Sequence, residues 1–247
     1  MAHWVFLRGL TRESGHWGSF VTTFEAAIPR SQVITLDLPG NGTLHRQRSP
    51  THVRNMVESC RTQLAARGLA PPYHLLAMSL GAMVAVHWAD AYPEEVSAQV
   101  LINTSMRPFG AFYQRLQPTN YAILLQLMLP GTAPLQWESA ILRMTSNQTH
   151  DGILRRWLAL RCARPVSLAN ALRQLLAAAR FGAPAGQPKV PTLLLASQAD
   201  HLVNVICSTR LAAHWQCALR LHPGAGHDVP LDDGPWVVTQ IRQWLTT

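Results

Sequence analysis

The stretch HLLAMSLGAMVAVHWA, residues 74–89, passes without interruption from one structural pattern into another. An apolar run of strand length ends in a single hydroxyl, Ser79, and the residues after it repeat with the period of a helix. Small residues lie two positions before and two positions after the serine, at Ala77 and Gly81. The pattern predicts a sharp strand-to-helix turn with the serine at its tip.

Short apolar runs alternate with helical patterns on both sides of this turn. Six runs have the length and composition of strands, at residues 3–7, 32–36, 73–77, 98–103, 192–197 and 218–222. Helical patterns lie between them, after Ser14 and over about 51–67, 80–91, 204–214 and 233–247. Ser49 or Thr51 is expected to cap the second helix, which should end at Gly68. This alternation predicts an α/β fold with a mostly parallel central sheet flanked by helices.

Residues 105–188 have a different character. They contain leucine-rich, amphipathic helical patterns and no strand signal. We therefore expect an inserted helical cap at 105–188, with residues 1–104 and 189–247 forming the α/β core. A chain of 247 residues is long enough to bury one such core.

Charge and composition exclude several classes of function. The net charge of +8 comes from arginines that are scattered along the chain, without the basic and aromatic interleaving of a nucleic-acid module. The four cysteines have no metal-ligand spacing, so we expect no metal site. We expect no organic cofactor either. No apolar run is long enough for stable membrane insertion, and we expect a cytoplasmic protein.

Ser79 has two candidate partners further along the chain. Asp200 follows the predicted strand 192–197, and His227 lies in a glycine-framed loop after the strand 218–222. Both follow the carboxyl end of a strand, where open α/β sheets place their ligands. The order serine, acid, histidine is that of an α/β-hydrolase triad. His227 would take the serine proton, and Asp200 would orient the imidazole.

Other interpretations of these residues are open. A serine at this turn can simply cap a helix. Asp232 or Asp233 could replace Asp200 as the acid, although their position before Pro235 fits helix capping better.

Acyl transfer also needs backbone N–H donors for the developing oxyanion. The amide of Leu80, directly after the serine, is one candidate. The loop after the first strand supplies the second, for which we nominate the amide of Leu10.

Five segments carry a family resemblance over nearly the whole chain outside the cap: FLRGLTRESGHW, LDLPGNG, AMSLGA, ASQADHLV and GAGHDVP. The set resembles the α/β-hydrolase superfamily, and within it small cytoplasmic carboxylesterases of the pimeloyl-acyl-carrier-protein methyl ester esterase type. Arg8 replaces the histidine that these enzymes have before the oxyanion-loop glycine. Asn41 replaces the histidine of their D-L-P-G-H-G turn, at a position interpreted as structural.

The resemblance implies a serine carboxylesterase that works through an acyl-enzyme, without identifying the ester. Thioesterase, lactonase and carbon–carbon hydrolase are alternatives on the same triad, and a non-catalytic binding module is a further one. The partner is expected to be a small-molecule ester. The arginines of residues 105–188 could attract an acyl group on a carrier protein, although solvated helix faces are the favoured interpretation of these arginines. An apolar pocket between sheet edge and cap is predicted, lined by Leu10, Met78, Met106 and Phe109, and such a lining predicts a preference for short to medium acyl esters. The alternative is that these residues belong to the ordinary apolar core.

Overall fold

The computed structural model describes residues 1–129, 131–148 and 152–246. Its centre is one six-stranded sheet, with strands β1 Ala2–Leu7, β2 Ser31–Leu36, β3 Tyr73–Met78, β4 Val96–Ile102, β5 Thr192–Ser197 and β6 Ala218–His222. The strand order is β2-β1-β3-β4-β5-β6, and all neighbours are parallel. Every strand lies within two residues of the range predicted from the sequence, and the α/β-hydrolase fold class is confirmed.

The helices are α1 Phe20–Ala27, α2 Val53–Ala66, α3 Leu80–Ala91, α4 Phe112–Arg115, α5 Tyr121–Leu127, α6 Pro134–Thr145, α7 Ile153–Ala163, α8 Leu168–Arg180, α9 Ile206–Trp215, α10 Val229–Asp232 and α11 Gly234–Leu245. Short 3-10 turns occupy Ser14–Trp17, Gly42–Leu44, Pro93–Glu95 and Pro118–Asn120. No helix in the described ranges is both long and apolar enough to cross a bilayer.

The expected capping of α2 is wrong. The helix begins after His52, which forms no side-chain cap, rather than after Ser49 or Thr51. Ser49 is fully buried and donates its hydroxyl hydrogen to the Pro39 carbonyl 2.6 Å away. The predicted end at Gly68 is confirmed, since this glycine has a φ of +67° and its amide bonds to the α2 carboxyl end.

Apolar residues cover both faces of the sheet. On β3, Leu75 and Ala77 belong to the cluster formed with α2 and α3, whereas Leu76 and Met78 belong to the cluster formed with α1 and α11. The side chains alternate between the two clusters because successive residues of a pleated strand point to opposite faces of the sheet. A parallel strand buried on both faces reads as a continuous apolar run, which explains the composition of residues 73–78.

The five helices α4–α8 lie between β4 and β5 in the chain, in the segment predicted to form a cap. Helix α8 is built with its polar residues inward. Asn170 and Gln174 are buried, and the exposed side is aliphatic, comprising Leu168, Leu172, Leu175 and Leu176. This arrangement reverses the usual polarity of a helix on a protein surface.

Candidate active site

The turn between β3 and α3 holds Ser79 in a strained backbone conformation. Its φ and ψ are 53° and −117°, in a region that residues with a side chain rarely adopt. A Cβ on Gly81 would lie 2.5 Å from the Leu7 carbonyl oxygen, so helix α3 can begin against the end of β1 only with a glycine here. Ser79 is partly exposed, in contrast to the buried strand before it. The steric need for a small residue two positions after the serine is therefore confirmed at Gly81.

His227 and Asp200 are joined by a buried hydrogen bond of 2.8 Å between Nδ1 and Oδ2. A carboxylate can only accept, so Nδ1 donates in this bond, and in the neutral imidazole Nε2 is then the acceptor. The second oxygen of Asp200 accepts from the amides of Leu202 and Val203 at 2.8 and 2.9 Å. The loop after β5 thus fixes the carboxylate, and the carboxylate fixes the imidazole tautomer.

Asn103 connects these loops and was missed by the sequence reasoning. It follows β4 with a φ of +43°, and its Nδ2 donates to the carbonyls of Gly226 and His227, the latter at 2.8 Å. Its Oδ1 accepts from the amide of Ser197 at the end of β5. The only signal in the sequence was a polar residue at the end of the apolar run of β4. The loops that carry the predicted triad likewise follow the ends of strands.

The structure does not form the bond between the predicted nucleophile and the histidine. The Ser79 hydroxyl makes no hydrogen bond to any described residue, although Thr104, next to Asn103, donates to the Ser79 carbonyl at 3.3 Å. The amides of Leu10 and Leu80 likewise donate to no other described group. Nucleophile–base contacts are often long in unliganded enzymes and tighten when substrate binds.

The loop after β1, which contains Leu10, is held from the cap side. Thr11 has a φ of +58°, and its amide donates to Gln174 Oε1 of α8 at 2.8 Å. Asn41 donates to the Arg12 carbonyl and accepts from Gln174 Nε2 at 2.7 Å. Asn41, which the sequence interpretation called structural, therefore links the loop to the cap helix.

A buried polar group joins the same loop to α6 and α7. Arg12 forms a 2.6 Å ion pair with Glu138 and lies 4.3 Å from the centre of the Trp157 ring. It also contacts His16 Nε2 at 2.8 Å. Burial, together with the positive charge of Arg12, lowers the pKa of His16 well below its ordinary value. Neutral His16 then accepts the Arg12 hydrogen bond.

Arg8, the departure from the family pattern, pairs with Asp228. The two side chains meet through both guanidinium terminal nitrogens and both carboxylate oxygens, and Nη1–Oδ1 measures 3.1 Å. They are 3% and 1% exposed. The residue after β1 is thereby linked directly to the residue after His227.

The two alternative acids have other partners. Asp232 accepts from the Gly226 amide and from Ser146 and Asn147, next to the end of α6. Asp233 accepts from the Trp236 amide at 2.9 Å and caps α11, as predicted. Asp200 is the carboxylate that contacts the His227 ring.

The four predicted pocket residues do not lie together. Met106 is buried in the cluster on the α3 side of the sheet, where partly buried Leu10 and Phe109 pack against it. Met78 lies on the opposite face, and its sulfur accepts from Arg8 Nη1 at 3.1 Å.

Comparison with known proteins identifies a family that matches most of the chain. Residues 4–240 match the model of the "Alpha/beta hydrolase family". The chain is 28% identical over 228 residues to the pimeloyl-[acyl-carrier protein] methyl ester esterase of Chromobacterium violaceum, covering 92% of this chain and 78% of that protein.

Solved structures share the fold. A thermophilic esterase from Thermogutta terrifontis superposes with a TM-score of 0.77 at 19% identity, covering 100% of this chain and 90% of the other. A hydrolase from Pseudomonas aeruginosa gives a TM-score of 0.80 at 16% identity, with the same coverage of 100% and 90%. At these identities the likeness concerns architecture alone.

Proposed function

The chain belongs to the alpha/beta hydrolase family, and we propose that within it this protein is a serine carboxylesterase acting on short to medium acyl esters. The observation that carries the proposal is the buried His227–Asp200 hydrogen bond at the sheet edge where Ser79 forms its strained turn. Strained backbone of this kind is typical of functional sites.

The reaction follows from the roles of these groups. Ser79 Oγ attacks the ester carbonyl carbon while its proton moves to His227 Nε2. The amides of Leu10 and Leu80 stabilise the oxyanion, and the alcohol leaves with the proton from His227. Water, deprotonated by His227, then attacks the acyl-Ser79 ester, and His227 returns the proton to Ser79 Oγ as the acid leaves. Asp200 stabilises the imidazolium in both halves.

Covalent labelling with a fluorophosphonate tests the nucleophile. Wild type should be labelled, Ser79→Ala should not, and His227→Ala should react far more slowly because the hydroxyl loses its base. Ser105→Ala is the matched control, since Ser105 is a buried serine in the loop after β4 and should leave labelling intact. Equal absence of label in wild type and Ser79→Ala would favour a binding module over an enzyme.

The acyl pocket is proposed to lie beside Leu10 and Phe109, which are only partly buried. Both pack against the apolar cluster that contains Met106, whereas Met78 lies on the other face of the sheet. A p-nitrophenyl ester series from acetate to palmitate should show a maximum at short or medium chains, because an apolar pocket of finite size excludes longer ones. A flat response would contradict such a pocket.

The alcohol or acyl portion is proposed to be presented on an acidic carrier protein. Residues 105–188 contain nine arginines, no lysine and only two acidic residues, which supports attraction of an acidic partner. The name of the Chromobacterium violaceum relative describes an esterase for a methyl ester on an acyl-carrier protein. Hydrolysis of an acyl-carrier-protein methyl ester should lose efficiency steeply with added salt, whereas a free methyl ester of the same acid should not. A panel with coenzyme A and carrier thioesters separates esterase from thioesterase.

A further inference from the structure

A buried ion pair outside the proposed triad links the two loops on which the chemistry depends. Arg8 precedes the loop that contains Leu10, and Asp228 follows His227. Their two-point contact fixes the relative orientation of the two loops as well as their separation, because a guanidinium and a carboxylate meet in one plane.

Arg8 also contacts the residues around Ser79. Its Nη1 lies 3.1 Å from the sulfur of Met78, the residue before the serine. Its carbonyl oxygen would lie 2.6 Å from a Cβ on Gly81, two residues after the serine. The aromatic ring of Trp17 lies 4.7 Å from the guanidinium carbon. One residue thus touches the nucleophile turn while its side chain reaches the histidine loop.

Asp228 is held on its other sides by backbone bonds. Its amide donates to the Thr145 carbonyl at the end of α6 at 2.7 Å, and its carbonyl accepts from Leu231 and Asp232. The Arg8 contact is therefore made with a residue whose own position is fixed. Movement of Arg8 would be transmitted to His227 rather than absorbed by a flexible loop.

We propose that Arg8 and Asp228 form a positioning pair that sets the distance between the oxyanion donors and the His227 ring; this rests on the proposed function. Arg8 also neutralises a buried carboxylate adjacent in sequence to His227, which leaves Asp200 as the carboxylate that orients the ring. A direct role for Arg8 in binding a substrate carboxylate is excluded by its 3% exposure and by the engagement of both terminal nitrogens.

Stability alone does not explain the pair. Apolar residues of similar volume often stabilise a protein more than a buried ion pair does. The Nε of Arg8, moreover, has no hydrogen-bond partner among the described residues, and a buried unsatisfied donor is unfavourable. Unlike apolar packing, the ion pair fixes the orientation of its two residues relative to each other.

The test separates stability from positioning through the variants Arg8→Met, Arg8→Lys and the double variant Arg8→Met/Asp228→Leu. Arg8→Met leaves a buried carboxylate unpaired and should lower both Tm and kcat. The double variant removes both charges and should regain the wild-type Tm, yet its kcat should stay about 100-fold low with KM little changed, because misplacement by about 1 Å has effects of that size. Arg8→Lys keeps the positive charge but loses the two-point guanidinium contact, so its kcat should lie between those of wild type and Arg8→Met.

A double variant with wild-type Tm and wild-type kcat would overturn the positioning role and leave the esterase proposal intact. An inactive, unlabelled wild type would instead overturn the esterase proposal, and the positioning role with it. Arg61→Met/Glu95→Gln is the control, since this ion pair joins α2 to the turn at Pro93–Glu95, remote from the site. Its kcat should equal that of wild type.

Discussion

The residues at the edge of the sheet and those beneath the cap are held in place by different kinds of interaction. At the sheet edge, side chains are carried by strand ends that are fixed by a large apolar core on both faces. Among its described residues, the predicted cap segment 105–188 has one small apolar cluster of its own, with buried members Leu127, Ala140 and Met144. It contacts the core through buried polar side chains such as Glu138 and Gln174, and through apolar residues such as Ala177.

This difference teaches which substitutions should affect chemistry and which should affect stability. Apolar contacts have no strict directional requirement, so apolar side chains of the right size can fix the sheet. The loops at the strand ends then position the polar groups. Buried polar contacts fail when one partner is removed, because the other is left unsatisfied. Polar residues at the sheet edge should therefore change rates, and polar residues beneath the cap should change stability.

The largest expected effect is that of Asp200→Asn, which should lower kcat by about 10⁴-fold because the wrong imidazole tautomer is favoured. Asp232→Asn is the matched control, since this carboxylate binds the Gly226 amide and cap residues rather than the His227 ring. It should reduce Tm and leave kcat within about tenfold of wild type. Steady-state kinetics and thermal unfolding of both variants decide the matter. Equal losses of kcat would contradict the distinction between the two carboxylates.

Next in size is the loss of the cap ion pair. Glu138→Met leaves the buried charge of Arg12 without its partner, so the free energy of unfolding should fall by about 3–5 kcal/mol. The double variant Arg12→Met/Glu138→Leu should recover much of this loss, whereas Arg61→Met, which breaks a largely exposed contact with Glu58 and a partly buried one with Glu95, should cost about 1 kcal/mol. Urea unfolding measures all three. Comparable losses in Glu138→Met and Arg61→Met would argue against polar attachment of the cap.

A smaller effect tests the reversed polarity of α8. Gln174→Leu should destabilise the protein by about 2 kcal/mol, because the Thr11 amide loses its acceptor and the Asn41 and Ser49 side chains each lose one hydrogen bond. Leu172→Glu, on the exposed side of the same helix, should change stability by less than about 0.5 kcal/mol. A helix packed through its leucines would give the opposite order. Chemical denaturation of the two variants distinguishes the arrangements.

The same helix shows where sequence reasoning ends. The strands and the loops that carry Ser79, Asp200 and His227 were predictable, because strand length, apolar runs and parallel connection place strand ends at one edge. The pairing of His227 with Asp200 followed from chain order. The periodicity of residues 168–180 indicates a helix but not which face is buried, and hydrophobicity alone would select the wrong one. Asn103 and the Arg8–Asp228 pair depend on contacts between residues far apart in the chain, for which periodicity carries no signal.

The smallest effect concerns pH and the cap contact. Because the pKa of His16 is lowered in the folded protein, its contribution to stability is complete above the unfolded value of about 6.5 and declines as pH falls below it. Protonation favours the unfolded chain, where His16 no longer faces Arg12. The loss approaches about 1.4 kcal/mol per pH unit at most.

Unfolding free energies at pH 7.5 and 5.5 measure this decline. His74 and His87 also have pKa values lowered by burial, so some decline with acid should persist in any variant that retains them. His16→Gln retains a hydrogen-bond acceptor for Arg12 without the titration, and its stability should depend less on pH than that of wild type. An identical pH dependence in the two proteins would mean that His16 is not buried neutral against Arg12.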